Sequence, residues 1–176
     1  MPLLKNNAFV ADDYVSVADE EALPSGGKLL VSFVRLQADW DAIAKHPALF
    51  GVRLSNTDKV EALQLYLSNI ALVVLSFPAF NDGRSYSLAR GLRLDGYRNE
   101  LRAEGNILPD QLQFMKQVGF DSFLVADRVP LQAWQAAAQQ MSLSYQRGLV
   151  RPALETEVWS SRHQGFAAWE EQPHAG

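Results

Sequence analysis

The sequence has 176 residues, of which 48% are hydrophobic and 20% charged, a balance typical of one folded domain with a substantial core. Its 16 basic and 20 acidic residues give a net charge of −4, and without a basic patch we expect neither nucleic-acid binding nor attachment to a membrane surface. The absence of cysteine excludes disulfides, thiol catalysis and Cys-ligated zinc or iron–sulfur centres.

The three histidines, His46, His163 and His174, lack the spacing of metal ligands, so we expect solvated or capping roles and no metal site. Polar residues 5–7 interrupt the amino-terminal segment, which therefore lacks the hydrophobic region of a signal peptide. The longest apolar run, residues 70–77, is far too short to span a bilayer. These features predict a cytoplasmic protein.

In chain order, residues 1–27 alternate weakly in hydropathy and end in a Pro-Ser-Gly-Gly loop, which indicates an N-terminal arm or an edge hairpin. Strands then alternate with helices. The predicted strands are residues 28–34, 50–55, 70–77, 99–105 and 120–126. The predicted helices are residues 39–46, 58–69, 85–93, 109–119 and 130–140. Asp58 and Glu61 have the spacing of a capping box at the start of the second helix.

This alternation predicts an α/β fold with right-handed crossovers and a mainly parallel sheet of about five βα units. Such a sheet is either an open doubly wound sheet or a partial TIM-like barrel, and periodicity does not separate the two. We expect a single domain over residues 1–150, followed by a partly flexible tail over 151–176. The alanine-rich helix at 130–140 can pack within the protein or at a homodimer interface.

The polar residues after the strands predict a binding site, because ligands of parallel α/β folds gather at the carboxyl ends of the strands. Arg84 lies at a predicted helix N-terminus, and Arg102 near the end of the next strand can supply a second guanidinium. Together they predict a site for a small oxyanion such as sulfate, phosphate or a carboxylate. The candidate ligand-binding residues are Asn81, Asp82, Gly83, Arg84, Ser87, Arg102, Gly105, Asp110 and Gln111.

A purely structural interpretation of the same residues carries at least equal weight. Asp82 can cap the helix, and either arginine can pair with Asp82 or Asp110 and fix two loops without a ligand. Asp82 and Asp110 are also weak candidates for a catalytic acid–base pair. The turn around Gly83 matches neither the dinucleotide nor the P-loop glycine pattern, and no cofactor is indicated.

Two linked motifs carry a resemblance to a known family. The first is F-x-D-G-R-x-x-S-x-A-R-x-L-R, from Phe80 to Arg93, and the second is E-L-R-A-x-G-x-x-x-x-D-Q-L-x-F-M-x-x-x-G-F-D-x-F, from Glu100 to Phe123. With these motifs the chain resembles the bacterial domain-of-unknown-function family DUF934 over roughly residues 54–146. The connection over residues 94–100 is shorter than the family pattern.

The resemblance implies a role in sulfur assimilation, because genes of this family commonly lie beside those of assimilatory sulfite reductase. Some members carry an oxidoreductase label, although the family has no established activity. The implied function is an accessory protein of sulfate and sulfite reduction that has sulfite reductase as its partner. A small enzyme acting on a phosphorylated or carboxylated metabolite and a non-catalytic interaction module remain alternatives. The family residues found here are Asp82, Gly83, Arg84, Ser87, Arg90, Arg102, Gly105, Asp110, Gln111, Gly119 and Phe120.

Overall fold

The computed structural model describes residues 1–79 and 82–140, which form one mixed α/β structure around a single sheet. The strands are β1 (Leu3–Lys5), β2 (Ala8–Val10), β3 (Tyr14–Ser16), β4 (Lys28–Ser32), β5 (Leu49–Leu54), β6 (Ile70–Phe77), β7 (Glu100–Gly105) and β8 (Ser122–Leu124). The α-helices are α1 (Phe33–Ala38), α2 (Trp40–Ile43), α3 (Arg84–Leu94), α4 (Leu112–Val118) and α5 (Leu131–Gln140). Short 3₁₀ helices lie at Val60–Leu63, Leu67–Asn69 and Pro109–Gln111.

The eight strands are ordered β2-β1-β8-β7-β6-β5-β4-β3. Strands β3 to β8 pair in parallel and in chain order, whereas β1 pairs antiparallel with both β2 and β8. The expectation of an α/β fold with a mainly parallel sheet is therefore confirmed. The chain order lacks the reversal of a doubly wound sheet, and the sheet is a curled half-barrel.

Three details differ from the sequence-based expectation. Besides the edge hairpin β1–β2, which was one of the two expected forms, the amino-terminal segment adds β3 to the opposite edge of the sheet. The strand predicted at 28–34 ends at Ser32, which caps the short helix α1. The predicted helix at 58–69 is wrong, because that connection forms two short 3₁₀ helices, so five complete βα units are not present in the described residues. The Asp58 carboxylate accepts the Ser55 N–H at 2.7 Å and stabilises the preceding turn, so the predicted capping role is not seen.

A three-residue link sets the curvature of the sheet. Strands β2 and β3 lie at opposite edges, yet only residues 11–13 separate them in the chain. Such a link reaches at most about 14 Å between Val10 and Tyr14, whereas eight strands in a flat sheet span about 34 Å. The two edges are therefore drawn together. Consistent with this, strands from both edges line a common cavity of about 270 Å³. Its lining residues are Leu3, Lys5, Val10, Ala11, Asp13, Tyr14, Lys28, Glu100 and Arg102.

The main hydrophobic core lies on the outer, helix-covered face of the sheet. Right-handed crossovers between strands in chain order place the helices on one face. There, buried helix residues such as Leu36, Leu92, Met115 and Trp134 belong to one cluster with alternate strand residues. The opposite face, which we call the inner face, carries a much smaller cluster. It consists of Leu30, Leu72 and Val74, with Tyr14 packed against them.

Within the described part of the chain, no helix has the length and apolar character needed to cross a membrane. The predicted tail at 151–176, with His163 and His174, lies outside the described residues. His46 is described, and its Nδ1 accepts the Ala48 N–H at 3.2 Å in the turn before β5. That contact fits the capping role expected for this histidine.

Candidate functional site

The inner face of the sheet carries most of its charged side chains. Along β7, Glu100, Arg102 and Glu104 alternate with Leu101 and Ala103, which are fully buried in the outer core. Because side chains of a strand point alternately to its two faces, the three charged residues share the inner face. A sheet whose inner face holds charges requires each of them to be paired there.

Arg102 is the centre of a network in the amino-side half of the inner face. Its side chain is 3% exposed. One terminal nitrogen donates to both carboxylate oxygens of Asp12 at 2.9 Å, and the other donates to Glu100 at 3.0 Å. The guanidinium carbon lies 5.5 Å from the centre of the Tyr14 ring. This buried arginine is fully committed to partners within the chain.

Glu100 collects three donors in the same network. Lys5 Nζ donates at 2.6 Å, Ser122 Oγ at 2.6 Å and Arg102 at 3.0 Å. Burial raises the pKa of Glu100, but the hydrogen bonds from these three residues outweigh burial and hold the pKa below its ordinary value. Burial, with Glu100 as the next cause, raises the pKa of Tyr14. At neutral pH the network therefore holds an ionised Glu100 and a neutral Tyr14.

At the other end of the inner face, polar groups gather where β5, β6 and β7 finish. We call this group the carboxyl mouth, and it comprises Arg53, Asn56, Ser76, Asp82, Arg84 and Glu104. The Arg53 Nε lies 2.8 Å from Glu104 Oε1 in an ion pair that lacks hydrogen-bond geometry. Glu104 Oε1 accepts the Ser76 hydroxyl at 2.9 Å. The Arg53 side chain as a whole is 40% exposed, although its Nε is buried, so Arg53 is far more exposed than Arg102.

The Asp82–Arg84 pair forms the second half of the carboxyl mouth. Arg84 donates to Asp82 through Nε at 3.0 Å and through a terminal nitrogen at 2.7 Å. The Asp82 carboxylate also accepts the Arg84 backbone N–H at 3.1 Å and the Asn56 side-chain amide at 2.5 Å. Hydrogen bonds from Arg84, with that of Asn56, hold the pKa of Asp82 well below its usual range. Asp82 thus accepts the first N–H of α3 while it orients Arg84.

The structure does not bring Arg102 to Arg84. Arg102 lies three residues before the end of β7, and its contacts are with Asp12, Glu100 and Ser122. The side-chain period of the strand turns it to the inner face, away from the helix that begins at Arg84. Arg53, one residue before the end of β5, is another arginine at this end of the sheet, and its ion-pair partner is Glu104.

The two candidate glycines have different structural roles. Gly105 has φ +112, and a Cβ added there would lie 2.4 Å from the carbonyl oxygen of Phe77. That oxygen accepts the Asn106 N–H at 2.8 Å, so Gly105 lets the ends of β6 and β7 approach closely. Gly83 has φ −82 and nothing within 4 Å of an added Cβ. It leaves open space at the start of α3.

The remaining candidates are spread over several sites. Ser87 is exposed on α3 and lines a separate cleft with Asp58 and Asp95. Asp110 is exposed beside Tyr86; burial raises the pKa of Tyr86 to about 12, and the Asp110 carboxylate adds to that effect. Gln111 accepts the Leu108 N–H at 3.1 Å. Among the described residues, no hydrogen bond or ion pair joins Asp110 to Asp82, and Asn81 lies outside them.

Sequence analysis missed the network around Arg102. A signal for it was present, because the charges in Glu-Leu-Arg-Ala-Glu recur at every second position of β7. Its partners Lys5 and Asp12 come from the amino-terminal segment, 90 or more residues away. No local pattern predicts a pairing at such a distance.

Fold and site together define an α/β protein with a curled, mostly parallel sheet whose inner face is lined by paired charges. In residues 1–79 and 82–140, no group of three or more histidine, cysteine or acidic residues is placed to hold a metal ion. Residues 51–154 match the family model described as "Bacterial protein of unknown function (DUF934)". The match covers more than half of the chain, and the protein belongs to this family. No curated protein and no solved structure matches the sequence.

Proposed function

We propose that this protein is an accessory protein of assimilatory sulfite reduction that binds a small oxyanion at the carboxyl mouth and works beside sulfite reductase. The sulfur context is the one implied by the family. The observation that supports the site is the pair of exposed arginines at the carboxyl ends of β5 and β6. Arg53 and Arg84 are 40% and 59% exposed, and each is held by a single carboxylate.

The arginines retain donors for an anion. A guanidinium group carries five N–H donors in a planar fork that matches the oxygens of sulfate, sulfite or phosphate. Arg84 uses Nε and one terminal nitrogen on Asp82. Among the described residues, its second terminal nitrogen makes no hydrogen bond. The carboxylates reduce the net positive charge of the mouth, so we expect weak affinity for a free anion, with a dissociation constant on the order of 1 mM.

The ionisation state of Asp82 favours a binding role for the carboxyl mouth over a catalytic one. A general acid or base works best with a pKa near the working pH. Hydrogen bonds instead hold the pKa of Asp82 well below its usual range. His46, the one histidine among the described residues, lies in the turn before β5, at the amino ends of the strands. An ionised aspartate that positions an arginine supports a role in holding an anion.

Capture of the tagged protein from cells that grow on sulfate as their sulfur source tests the partner. We expect recovery of sulfite reductase in a stoichiometric amount, measured by quantitative mass spectrometry. Arg84→Ala should reduce this recovery, whereas the exposed control Arg128→Ala should not. Recovery of the protein alone would contradict the accessory role.

Thermal denaturation in the presence of sulfite, sulfate or chloride at equal ionic strength tests the anion site separately. We expect sulfite to raise the melting temperature of the wild type and of Arg128→Ala, and to have a smaller effect on Arg53→Ala and Arg84→Ala. Equal stabilisation of all four proteins would show that the carboxyl mouth is not the anion site.

A further inference from the structure

A second cleft lies at the opposite end of the sheet, where β7 and β8 begin. It has a volume of about 570 Å³, within the range of small-molecule sites. The residues that line it include Lys5, Arg98, Glu100, Lys116, Phe120 and Asp121. We call it the amino-end cleft. It differs from the carboxyl mouth because three cationic side chains, Lys5, Arg98 and Lys116, line the same cleft.

Two of these cations have no carboxylate partner among the described residues. Lys116 Nζ donates to the side-chain oxygen of Asn7 at 2.7 Å, which leaves its charge uncompensated. Arg98 is exposed and makes no hydrogen bond or ion pair within the described part of the chain. Lys5 is paired with Glu100 at 2.6 Å. Lys116 and Arg98 thus present unpaired positive charge to the cleft.

Each carboxylate of the cleft already forms an ion pair with a buried arginine. Glu100 is paired with Arg102 as well as with Lys5. Asp121 is paired with Arg93, whose side chain is 3% exposed, at 2.7 Å. Since both acids have a buried arginine as a partner, they cancel little of the charge of Lys116 and Arg98. The field in the cleft therefore favours an anion.

The partial burial of Lys116 strengthens this preference. Lys116 is half-buried, so its ammonium group has less water around it, and this desolvation lowers its pKa. A phosphate group placed beside it restores the lost interactions of the charged form. Arginine and lysine at one site are the usual partners of phosphate, the first through its planar fork and the second as a point charge.

The cleft also offers groups for the rest of a ligand. One carboxylate oxygen of Asp121 accepts the Arg93 guanidinium and the Leu101 N–H. The other oxygen belongs to a side chain that is 38% exposed and can accept a hydroxyl. Phe120, which is 3% exposed, also lines the cleft. A carboxylate near the cations disfavours a second anionic group and favours neutral hydroxyls.

We propose that the amino-end cleft binds a small phosphorylated metabolite that carries hydroxyl groups, such as a sugar phosphate. Its phosphate is held by Arg98 and Lys116 with support from Lys5, and a hydroxyl donates to Asp121. This site is separate from the carboxyl mouth and does not depend on the function proposed there.

Calorimetric titration of the full chain with ribose 5-phosphate, inorganic phosphate and ribose at low salt tests the proposal. We expect ribose 5-phosphate to bind at least about tenfold more tightly than inorganic phosphate, and ribose to give no measurable heat. Lys116→Gln and Arg98→Gln should each weaken ribose 5-phosphate binding by about tenfold or more. Arg128→Gln removes one charge from an exposed position outside the cleft and should bind like the wild type.

Three results would overturn the proposal, the first two by removing the site itself. One is the absence of heat with ribose 5-phosphate, and another is equal affinity of the wild type and both cleft variants. Equal binding of inorganic phosphate and ribose 5-phosphate would reject the metabolite class in favour of a bare anion. The melting temperature of each variant confirms that it is folded. Arg53→Ala and Arg84→Ala should leave ribose 5-phosphate binding unchanged, which separates this test from that of the carboxyl mouth.

Discussion

Two arginine–carboxylate pairs in this protein consist of the same chemical groups, but the arginine of one is buried and that of the other is exposed. Arg102 is 3% exposed and binds both oxygens of Asp12, whereas Arg84 is 59% exposed and binds both oxygens of Asp82. A buried arginine cannot replace a lost partner with water, but an exposed one can. The comparison indicates that burial decides how much the fold depends on such a pair, because water can replace Asp82 at Arg84 but cannot replace Asp12 at Arg102.

The position of Asp12 explains the importance of the buried pair. Asp12 lies in the link over residues 11–13, between strands at opposite edges of the sheet. Arg102 projects from β7 within the sheet and holds that link from the inside. The pair therefore stabilises the curled form of the sheet, in addition to neutralising two charges.

The largest effect should come from removal of the buried guanidinium. Arg102→Ala leaves Asp12 and Glu100 without their shared cation and should lower the free energy of unfolding by about 3–5 kcal/mol. Urea denaturation followed by circular dichroism measures this loss. Arg102→Lys keeps the charge without the planar fork. Its free energy of unfolding should therefore lie between those of Arg102→Ala and the wild type. A loss below about 1 kcal/mol for Arg102→Ala would contradict the structural role.

A smaller effect should follow from neutralising the acid of the same network. Glu100→Gln weakens the hydrogen bonds from Lys5 and Ser122 and should cost about 1–3 kcal/mol at pH 7. Because the folded-state pKa of Glu100 lies below its ordinary value of 4.5, its stabilisation is present above pH 4.5 and is lost as the pH falls through the lower folded value. The variant should therefore lose less stability than the wild type between pH 5 and the acid transition. Parallel pH profiles would contradict the lowered pKa.

The interaction energy of the Arg53–Glu104 pair at the carboxyl mouth should lie between those of the buried Arg102 pair and the exposed Arg84 pair. In a double-mutant cycle of Arg53→Gln and Glu104→Gln, we expect a coupling free energy of about 0.5–1 kcal/mol. Addition of 1 M sodium chloride should reduce the coupling, because salt screens exposed charges. A coupling above about 3 kcal/mol, unchanged by salt, would place this pair in the same class as Arg102.

The smallest effect on stability should come from Arg84→Ala. The Asp82 carboxylate keeps its hydrogen bonds from the backbone N–H of residue 84 and from Asn56, and water replaces the guanidinium, so the melting temperature should change by less than about 2 °C. The matched comparison is Arg102→Ala in the same buffer, which should lower the melting temperature by several times as much. If Arg84→Ala were equally destabilising, the carboxyl mouth would be a structural clamp, with no arginine available for a ligand.

Much of the outer core was predictable from local sequence. The run Ile70–Phe77 is apolar on both faces and forms the longest strand, and Gly119 with φ +122 ends α4 as its position predicts. The same kind of local pattern gave a wrong prediction at 58–69, where Asp58 accepts the Ser55 N–H and does not cap an α-helix. Local capping patterns do not show which of two nearby backbone groups a side chain will bind.

Local sequence patterns are enough to predict the alternation of strands and helices, the mainly parallel sheet and the polar residues after β5, β6 and β7, because hydrophobic periodicity and turn residues act over a few positions. The tertiary fold alone establishes that the edges of the sheet are drawn together, that Arg102 faces inward to Asp12, and that Arg53 pairs with Glu104. It also gathered Lys5, Arg98 and Lys116 around one cleft. These contacts join residues far apart in the chain, and their geometry follows from strand order and register, which local patterns do not encode.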